Sequence, residues 1–208
     1  MTNSQFDPAE FDHWAASYDQ EAQSEKGFPF DGYARVLETI TRLAAVSAGD
    51  TVLDLGAGTG SLSVLLARQG ARLWCLDFSG EMLAIARRRL PEAVYAQADL
   101  RDGWPAGFQR RYHAVVSAYT FHHFPLQEKV ELIQRIRRDA LLPGGRMVIG
   151  DIAFTDAAAQ DTARLSAGPD WEQEYYWLAD ETLPALAAAD IPARYMQVSS
   201  CAGVFEVE

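Results

Sequence analysis

The chain has 208 residues, of which 49% are hydrophobic and 23% are charged, a balance typical of one well-buried domain. Its net charge of −11 at pH 7 repels phosphate backbones, so we expect a small molecule or a protein as partner and no nucleic acid. No apolar run approaches the roughly 18 residues of a membrane span, and the N-terminus lacks the layout of a signal peptide. The default expectation is therefore a cytoplasmic protein with no membrane partner; the oligomeric state is not readable.

The N-terminal segment, residues 1–30, has no long apolar period. Phe11, Trp14 and Tyr18 are spaced by three and four residues, which predicts a short helix with these rings on one face. The polar residues 20–30 are predicted to form a loop. An apolar stripe from Tyr33 to Ala44 then predicts a helix, with Asp31 as a plausible N-cap.

From residue 52 onward, short apolar strands alternate with helices, which predicts a parallel sheet covered by helices on both faces. After Asp151 the pattern changes to two helical stretches, followed by two strands too close together for a parallel crossover. We therefore expect an α/β fold: a doubly wound, Rossmann-like, seven-stranded sheet with five parallel strands and a C-terminal antiparallel hairpin. The predicted strands are 52–55, 73–77, 93–97, 114–118, 146–151, 193–198 and 203–207; the late helical stretches are 157–165 and 171–189.

The stretch Val52-Leu53-Asp54-Leu55-Gly56-Ala57-Gly58-Thr59-Gly60 is the first strand and the turn after it. Its glycines allow a sharp bend and a close approach by a ligand, and the helix from Ser61 points free N–H groups at that ligand. A strand, a glycine turn and a helix in this order predict a nucleotide-type site.

Two further carboxylates follow the next two strands, at the edge of the sheet where ligands of doubly wound folds bind. Asp77 can accept hydrogen bonds from both hydroxyls of a ribose, and Asp99 can accept one from an exocyclic amine. Phe78, Met82 and Leu100 offer apolar contacts to the faces of a planar base. Helix capping or ordinary loop positions are the alternative interpretations of the two carboxylates. Together these residues predict an adenosine pocket.

The glycine pattern decides against a dinucleotide. A dinucleotide site has the pattern G-x-G-x-x-G, whereas this chain has G-A-G-T-G followed by Ser61. Asp54 lies just inside the turn, where its charge disfavours a pyrophosphate and favours a ligand that carries an ammonium or sulfonium group.

These motifs, with Ala98-Asp99-Leu100 and with Leu142-Pro143-Gly144-Gly145 before a strand, resemble the class I S-adenosylmethionine-dependent methyltransferases, in particular those that act on small molecules. The resemblance covers residues 11–152 by motif and the rest by architecture. It implies one domain over 1–208, with a lid segment at 1–30, a cofactor-binding core at 31–152, and acceptor-side helices and the hairpin at 153–208. The implied cofactor contacts are Trp14, Tyr18, Asp54, Gly56, Ala57, Gly58, Thr59, Gly60, Asp77, Phe78, Met82, Asp99, Leu100 and Ser117.

Methyl transfer needs positioning, exclusion of water and, where the acceptor carries a proton, a base. The candidate catalytic bases are His122 and His123, in the loop after the fourth strand, although either histidine could instead hold the loop in place. We expect no metal, because no carboxylate or thiol lies near them in sequence. The aromatic residues after Gly168 either contact a small-molecule acceptor or cover the sheet.

Two other classes of protein remain as alternatives. One is a non-catalytic protein that binds an adenosine ligand, and the other is an NAD-dependent oxidoreductase, against which the missing third glycine counts. A protein or RNA methyltransferase is a third possibility within the same family, and the acidity of the chain argues against RNA.

Overall fold

The computed structural model describes residues 15, 17–25 and 27–208. Within these ranges, strands and helices alternate through the first two thirds of the chain, as the sequence predicts. The strands are β1 (Thr51–Leu55), β2 (Arg72–Asp77), β3 (Val94–Gln97), β4 (Tyr112–Ala118), β5 (Leu141–Phe154), β6 (Trp177–Leu178), β7 (Ala193–Gln197) and β8 (Ala202–Val207). The helices are α1 (Tyr18–Ser24), α2 (Tyr33–Ala44), α3 (Ser61–Arg68), α4 (Gly80–Arg89), α5 (Leu126–Ala140), α6 (Ala157–Ala167) and α7 (Ala179–Ala188).

The sheet has the strand order β3-β2-β1-β4-β5-β8-β7, and β6 pairs with β5 beside this path. The first five strands are parallel, and β8 runs antiparallel to both β5 and β7. The predicted doubly wound sheet with a terminal antiparallel hairpin is therefore confirmed. The two-residue β6 raises the strand number of the described chain from the predicted seven to eight.

The strand order reverses between β1 and β4, so the carboxyl ends of these two strands border the crevice in which ligands of such folds bind. All five residues of β1 are buried, because helices cover both faces of the sheet at its centre. Two apolar clusters, one on each face, hold those helices; Ile40 and Leu66 lie in one, and Ile133 and Trp177 lie in the other.

Three local predictions are wrong. The stretch 171–189 is helical only over α7, because Trp177 instead extends the sheet beside Ala153 and packs 4.7 Å from the Phe205 ring. Residues 20–24 belong to helix α1, where a loop was expected. Asp31 does not cap α2, whose N-cap is Gly32; the Asp31 carboxylate instead accepts a hydrogen bond from the Ser200 hydroxyl at 2.7 Å.

Other features follow the sequence closely. Ser79 caps α4 by accepting a hydrogen bond from the Met82 N–H group at 3.1 Å. Cys75 and Cys201 are buried free thiols, as expected. No helix in the described ranges is both long and apolar enough to cross a bilayer.

Candidate active site

Backbone hydrogen bonds hold the turn between β1 and α3 against β2. The N–H groups of Gly56 and Ala57 both donate to the Leu76 carbonyl, at 2.8 and 3.0 Å. Gly56 has a φ of +68°, and a Cβ atom added there would overlap the side chain of Thr120. The turn can pass this close to the loop after β4 because glycine has no side chain.

Asp77, the last residue of β2, connects the glycine turn to the start of α4. Its two carboxylate oxygens accept hydrogen bonds from the N–H groups of Gly58, at 2.8 Å, and Ser79, at 2.9 Å. The residue is only 5% exposed. The carboxylate is therefore fixed in orientation at the carboxyl edge of the sheet.

A cavity of about 360 Å³, called here the wide cavity, opens beside this carboxylate. Asp99, in its wall, accepts a hydrogen bond from the Arg101 N–H group at 2.8 Å. The walls come from the ends of β2, β3 and β4 and include Asp77, Phe78, Asp99, Leu100, Thr120, His123 and Phe124. Predicted cofactor residues and one predicted catalytic histidine thus share a single cavity.

A second cavity, of about 30 Å³, lies on the other side of Gly56 and is called the narrow cavity. Asp54 lies in its wall, is 1% exposed, and accepts a hydrogen bond from the Ser63 hydroxyl at 2.6 Å. Burial raises the pKa of the Asp54 carboxyl to about 7. A cation in this cavity would therefore stabilise the ionised form of the buried Asp54 carboxylate by pairing with it.

Tyrosines from three separate elements close the narrow cavity: Tyr18, Tyr33 and Tyr119. Tyr119 adopts a left-handed backbone conformation, with φ of +52°, directly after β4. Its buried hydroxyl finds no hydrogen-bond partner among the described residues. Strained backbone and an unsatisfied buried hydroxyl both concentrate at functional sites.

The described part of the lid segment is tied to the glycine turn through Asp19. One Asp19 oxygen accepts a hydrogen bond from the Thr59 hydroxyl at 2.6 Å, and the other pairs with Arg89 of α4. Next to it, Tyr18 packs edge-on against Phe30, with ring centroids 5.6 Å apart. These contacts hold α1 over the narrow cavity.

His122 is 7% exposed and is held by Asp151, a fully buried residue of β5. The ring Nδ1 lies 2.5 Å from one Asp151 oxygen, and the backbone N–H donates to the other at 2.9 Å. The Trp177 indole donates to Asp151 as well, at 3.0 Å. Burial by itself lowers the pKa of His122, but the charge and hydrogen bond of Asp151 outweigh it and raise that pKa above its ordinary value.

His123 lines the wide cavity, and its Nδ1 lies 3.0 Å from a carboxylate oxygen of Glu174. The other Glu174 oxygen lies 3.4 Å from Nε2 of His122. The two imidazole rings are 4.1 Å apart. Burial, followed by the charge on His122, lowers the pKa of His123, which keeps this ring neutral near pH 7.

Lys129 of α5 lies near Asp151 and Glu174 and is 1% exposed. Its ammonium group donates to the Tyr175 carbonyl and lies 4.2 Å from the centre of the Trp177 ring. Burial lowers the pKa of Lys129 to about 7. Through these contacts Lys129 helps to hold the segment that carries Glu174.

Comparisons with known proteins agree on one family. A methyltransferase-domain family model matches residues 52–145. An uncharacterized methyltransferase of Geobacillus kaustophilus is 30% identical over 94% of both chains, and the methyltransferase YrrT of Halobacillus halophilus is 27% identical over 95% of both. The chain belongs to the class I S-adenosylmethionine-dependent methyltransferases. S-Adenosylmethionine is the cofactor of this family, and the enzyme is a transferase.

Solved structures share the fold of this methyltransferase over nearly its whole length. The DhpI–SAH complex superposes with a TM-score of 0.74 and 22% identity, covering 97% of this chain and 94% of the other. Magnesium protoporphyrin IX methyltransferase from Synechocystis, with SAH bound, gives a TM-score of 0.71 and 17% identity, covering 97% and 99%. At such identities the likeness concerns the fold.

The residues at the two cavities fit this cofactor. Asp54, beside the narrow cavity, suits an ammonium group, and Asp77, in the wall of the wide cavity, suits ribose hydroxyls. The glycine turn separates the two and presents backbone with no side chain in the way. Ten predicted contacts lie in these walls: Tyr18, Asp54, Gly56, Ala57, Gly58, Thr59, Asp77, Phe78, Asp99 and Leu100.

Three predicted contacts lie outside both cavity walls. Gly60 begins α3 with φ of +84° and packs toward Ala86. Met82 is a buried residue of α4, and the Ser117 hydroxyl donates to the Leu55 carbonyl at 2.7 Å inside the sheet. Trp14 falls outside the described residues.

Sequence reasoning gave no individual role to Tyr119 or Asp151, and it did not connect Glu174 with the two histidines. Asp151 carried a signal, since it follows a predicted strand on the ligand-binding edge of the sheet. Glu174 carried none, because it reaches the histidines only through the packing of a loop more than 50 residues along the chain. The expectation of no metal depended on there being no carboxylate near the histidines, and Glu174 removes that reason.

Proposed function

We propose that this methyltransferase acts on a small-molecule acceptor, and that His123 takes the proton from that acceptor. The observation that carries the first part is the closure of the narrow cavity. Tyr18 and Tyr33 cover it, and Asp19 ties the lid segment to the glycine turn. This cover would keep a folded macromolecule at a distance from the narrow cavity, whereas a small acceptor can approach through the neighbouring wide cavity.

The charge of the chain supports the same conclusion. A net charge of −11 disfavours long phosphate backbones, which bind through clustered Lys and Arg. The wide cavity, at about 360 Å³, is within the range of sites for small ligands. We therefore propose an acceptor that binds near the wall formed by His123 and Phe124.

His123 suits the role of the base better than His122 does. It lines the wide cavity, whereas the Nδ1 of His122 is committed to Asp151 at 2.5 Å. A neutral imidazole accepts a proton, and the Glu174 carboxylate 3.0 Å away would stabilise the imidazolium that forms. Glu174 would in this way act as a positioning residue.

When bound, the cofactor would supply a methyl group on a positively charged sulfur, and that sulfur would keep the bonding electron pair and become a neutral thioether. His123 would take the proton of the acceptor atom as the lone pair of that atom forms its bond to the methyl carbon. The protein's own contribution is to align the acceptor, to exclude water beneath the lid segment and to hold this proton.

Two experiments test the proposal. The first adds S-adenosylmethionine with a labelled methyl group and the protein to a whole-cell extract, separated into metabolite, protein and RNA fractions. We expect the label in the metabolite fraction, and label confined to protein or RNA would contradict a small-molecule acceptor.

The second experiment tests the base. His123→Gln should lower turnover by about 100-fold or more, because general base catalysis contributes at least that much, while cofactor affinity stays within a few-fold. His113→Gln, a substitution of a half-exposed histidine on β4, is the matched control and should keep full turnover. If turnover survives in His123→Gln, the base assignment is wrong.

A further inference from the structure

We propose that His122, His123 and Glu174 form a binding site for one divalent transition-metal ion of the Zn²⁺ type. The three residues bring together two imidazole nitrogens and one carboxylate oxygen, all within 4.8 Å of one another. Two histidines and one carboxylate are a set of ligands that zinc uses where a fourth position stays open.

The spacing of these ligand atoms suits a tetrahedral ion. Metal–ligand bonds of about 2.0–2.1 Å in tetrahedral geometry place neighbouring ligand atoms about 3.4 Å apart. Nε2 of His122 lies 3.4 Å from one Glu174 oxygen, and Nδ1 of His123 lies 3.0 Å from the other. The two distances end on different oxygens of one carboxylate, so a tetrahedral site forms when the Glu174 carboxylate turns until one oxygen faces both nitrogens.

Asp151 supports this interpretation because it fixes the His122 ring through Nδ1, the nitrogen that does not face Glu174. An ionised carboxylate only accepts hydrogen bonds, so the contact of 2.5 Å places a proton on Nδ1 of His122. In a neutral ring Nε2 then carries the lone pair, and Nε2 faces Glu174. Metal-binding histidines typically donate their other ring N–H to a carboxylate in this way, which fixes the ring for its ligand.

The charges around His122 and His123 favour binding of a cation. Asp151 is buried and the Glu174 side chain is 20% exposed, and together they bring two negative charges beside the single positive charge of Lys129. Buried charges need to be paired, so this excess of carboxylate favours a bound cation. A metal ion and a proton compete for the same imidazole lone pairs.

This inference goes beyond the proposed function: a His123 ring that holds the ion through Nδ1 carries its remaining proton on Nε2, so a bound metal ion and base catalysis exclude each other at this ring. Binding is measured without any acceptor, however, so the two proposals can fail separately. Loss of turnover in His123→Gln without metal binding supports only the base, and metal binding without loss of turnover supports only the metal site.

The test is calorimetric titration of the chelator-treated full chain with Zn²⁺, repeated with Co²⁺ to record the absorption spectrum of the bound ion. We expect one equivalent of Zn²⁺ and a cobalt spectrum of tetrahedral type. Glu174→Gln and His123→Gln should each weaken Zn²⁺ binding about tenfold or more, and Asp151→Asn should weaken it by about 10- to 100-fold through His122.

His113→Gln is again the matched control, because His113 also has a carboxylate nearby, with Nε2 3.7 Å from Asp50, but has no third potential ligand among the described residues. Its Zn²⁺ affinity should equal that of the wild type. Each variant should retain its affinity for S-adenosylhomocysteine, which shows that it is folded. The metal site is refuted if the wild type binds no Zn²⁺, or if folded Glu174→Gln and His123→Gln variants bind it unchanged.

Discussion

Replacing Asp54 by Asn tests the electrostatics of the narrow cavity most directly. Asn has the size of Asp and can still accept the hydrogen bond from the Ser63 hydroxyl, which is 2.6 Å long. The substitution therefore removes the charge and keeps the shape. Besides Ser63, the group that acts on Asp54 is Asp77, whose charge raises the pKa of Asp54. The Ser63 hydroxyl also lies 3.2 Å from the Cys75 sulfur.

The expected effect on cofactor binding follows from the pKa of Asp54, which burial raises to about 7. The ionised fraction of this carboxyl grows about eightfold between pH 6 and pH 7.5. If the ammonium group of S-adenosylmethionine pairs with the ionised form, its Kd should fall by about the same factor, or roughly 1.2 kcal/mol. In Asp54→Asn the Kd should be independent of pH in this window and weaker than wild type at pH 7.5.

The same pKa predicts the opposite trend for stability. The folded protein holds the Asp54 proton to about pH 7, whereas the unfolded chain releases it near 3.8. Between these values the folded state binds more protons, so the free energy of unfolding falls as the pH rises through that window. The full difference corresponds to about 4 kcal/mol as an upper bound, which Asp54→Asn should recover at pH 8.

Calorimetric titration with the cofactor from pH 6 to 7.5 and urea unfolding from pH 5 to 8 measure the two effects. Ser63→Ala is an internal check, because loss of its hydrogen bond should raise the pKa of Asp54 further and move both transitions to higher pH. A wild-type Kd that is constant over this range, or an Asn variant that keeps the pH dependence, would refute the role of Asp54.

Three other substitutions test the geometry of the cofactor site. Asp77→Asn should weaken S-adenosylmethionine binding by about 1–3 kcal/mol, because a charged hydrogen-bond acceptor is lost; unchanged affinity by calorimetry would contradict the ribose assignment. Gly56→Ala should abolish cofactor binding through its clash with the Thr120 side chain, whereas Gly107→Ala, with a similar positive φ but open space around it, should bind normally. Asp19→Asn breaks the ion pair with Arg89 and should raise the cofactor dissociation rate in stopped-flow measurements; an unchanged rate would argue against a closing role for the lid segment.

The sequence predicted much of the cofactor site because that part depends on local order. The glycine turn, Asp77 and Asp99 each directly follow a strand, and the carboxyl ends of parallel strands meet at one edge of the sheet. Once the strands are recognised from their apolar runs, these residues must lie near one another. The same reasoning fails for Ser117, because the Ser117 hydroxyl donates a hydrogen bond to the Leu55 carbonyl inside the sheet.

The region after β5 was predicted least well. Its aromatic residues fit a helical pattern, yet Trp177 joins the sheet because β5 continues to Phe154 and offers a free edge there. Tertiary packing overrides local preference at such positions, since burying an indole is worth more than one turn of helix. The same packing places the Glu174 carboxylate beside His122 and His123.

The sequence by itself determined the alternation of strands and helices, the family, the cofactor and which carboxylates follow a strand at the ligand-binding edge of the sheet, because all of these depend on the order of residues along the chain. The tertiary structure alone decided how the two histidines differ. Asp151 and Glu174 lie 29 and 51 residues from their partners, and their distances to His122 and His123 follow from how β5 and the loop before β6 pack. Such contacts make one ring a fixed partner of a buried carboxylate and leave the other in the cavity wall, because hydrogen bonding and burial depend on neighbours in space.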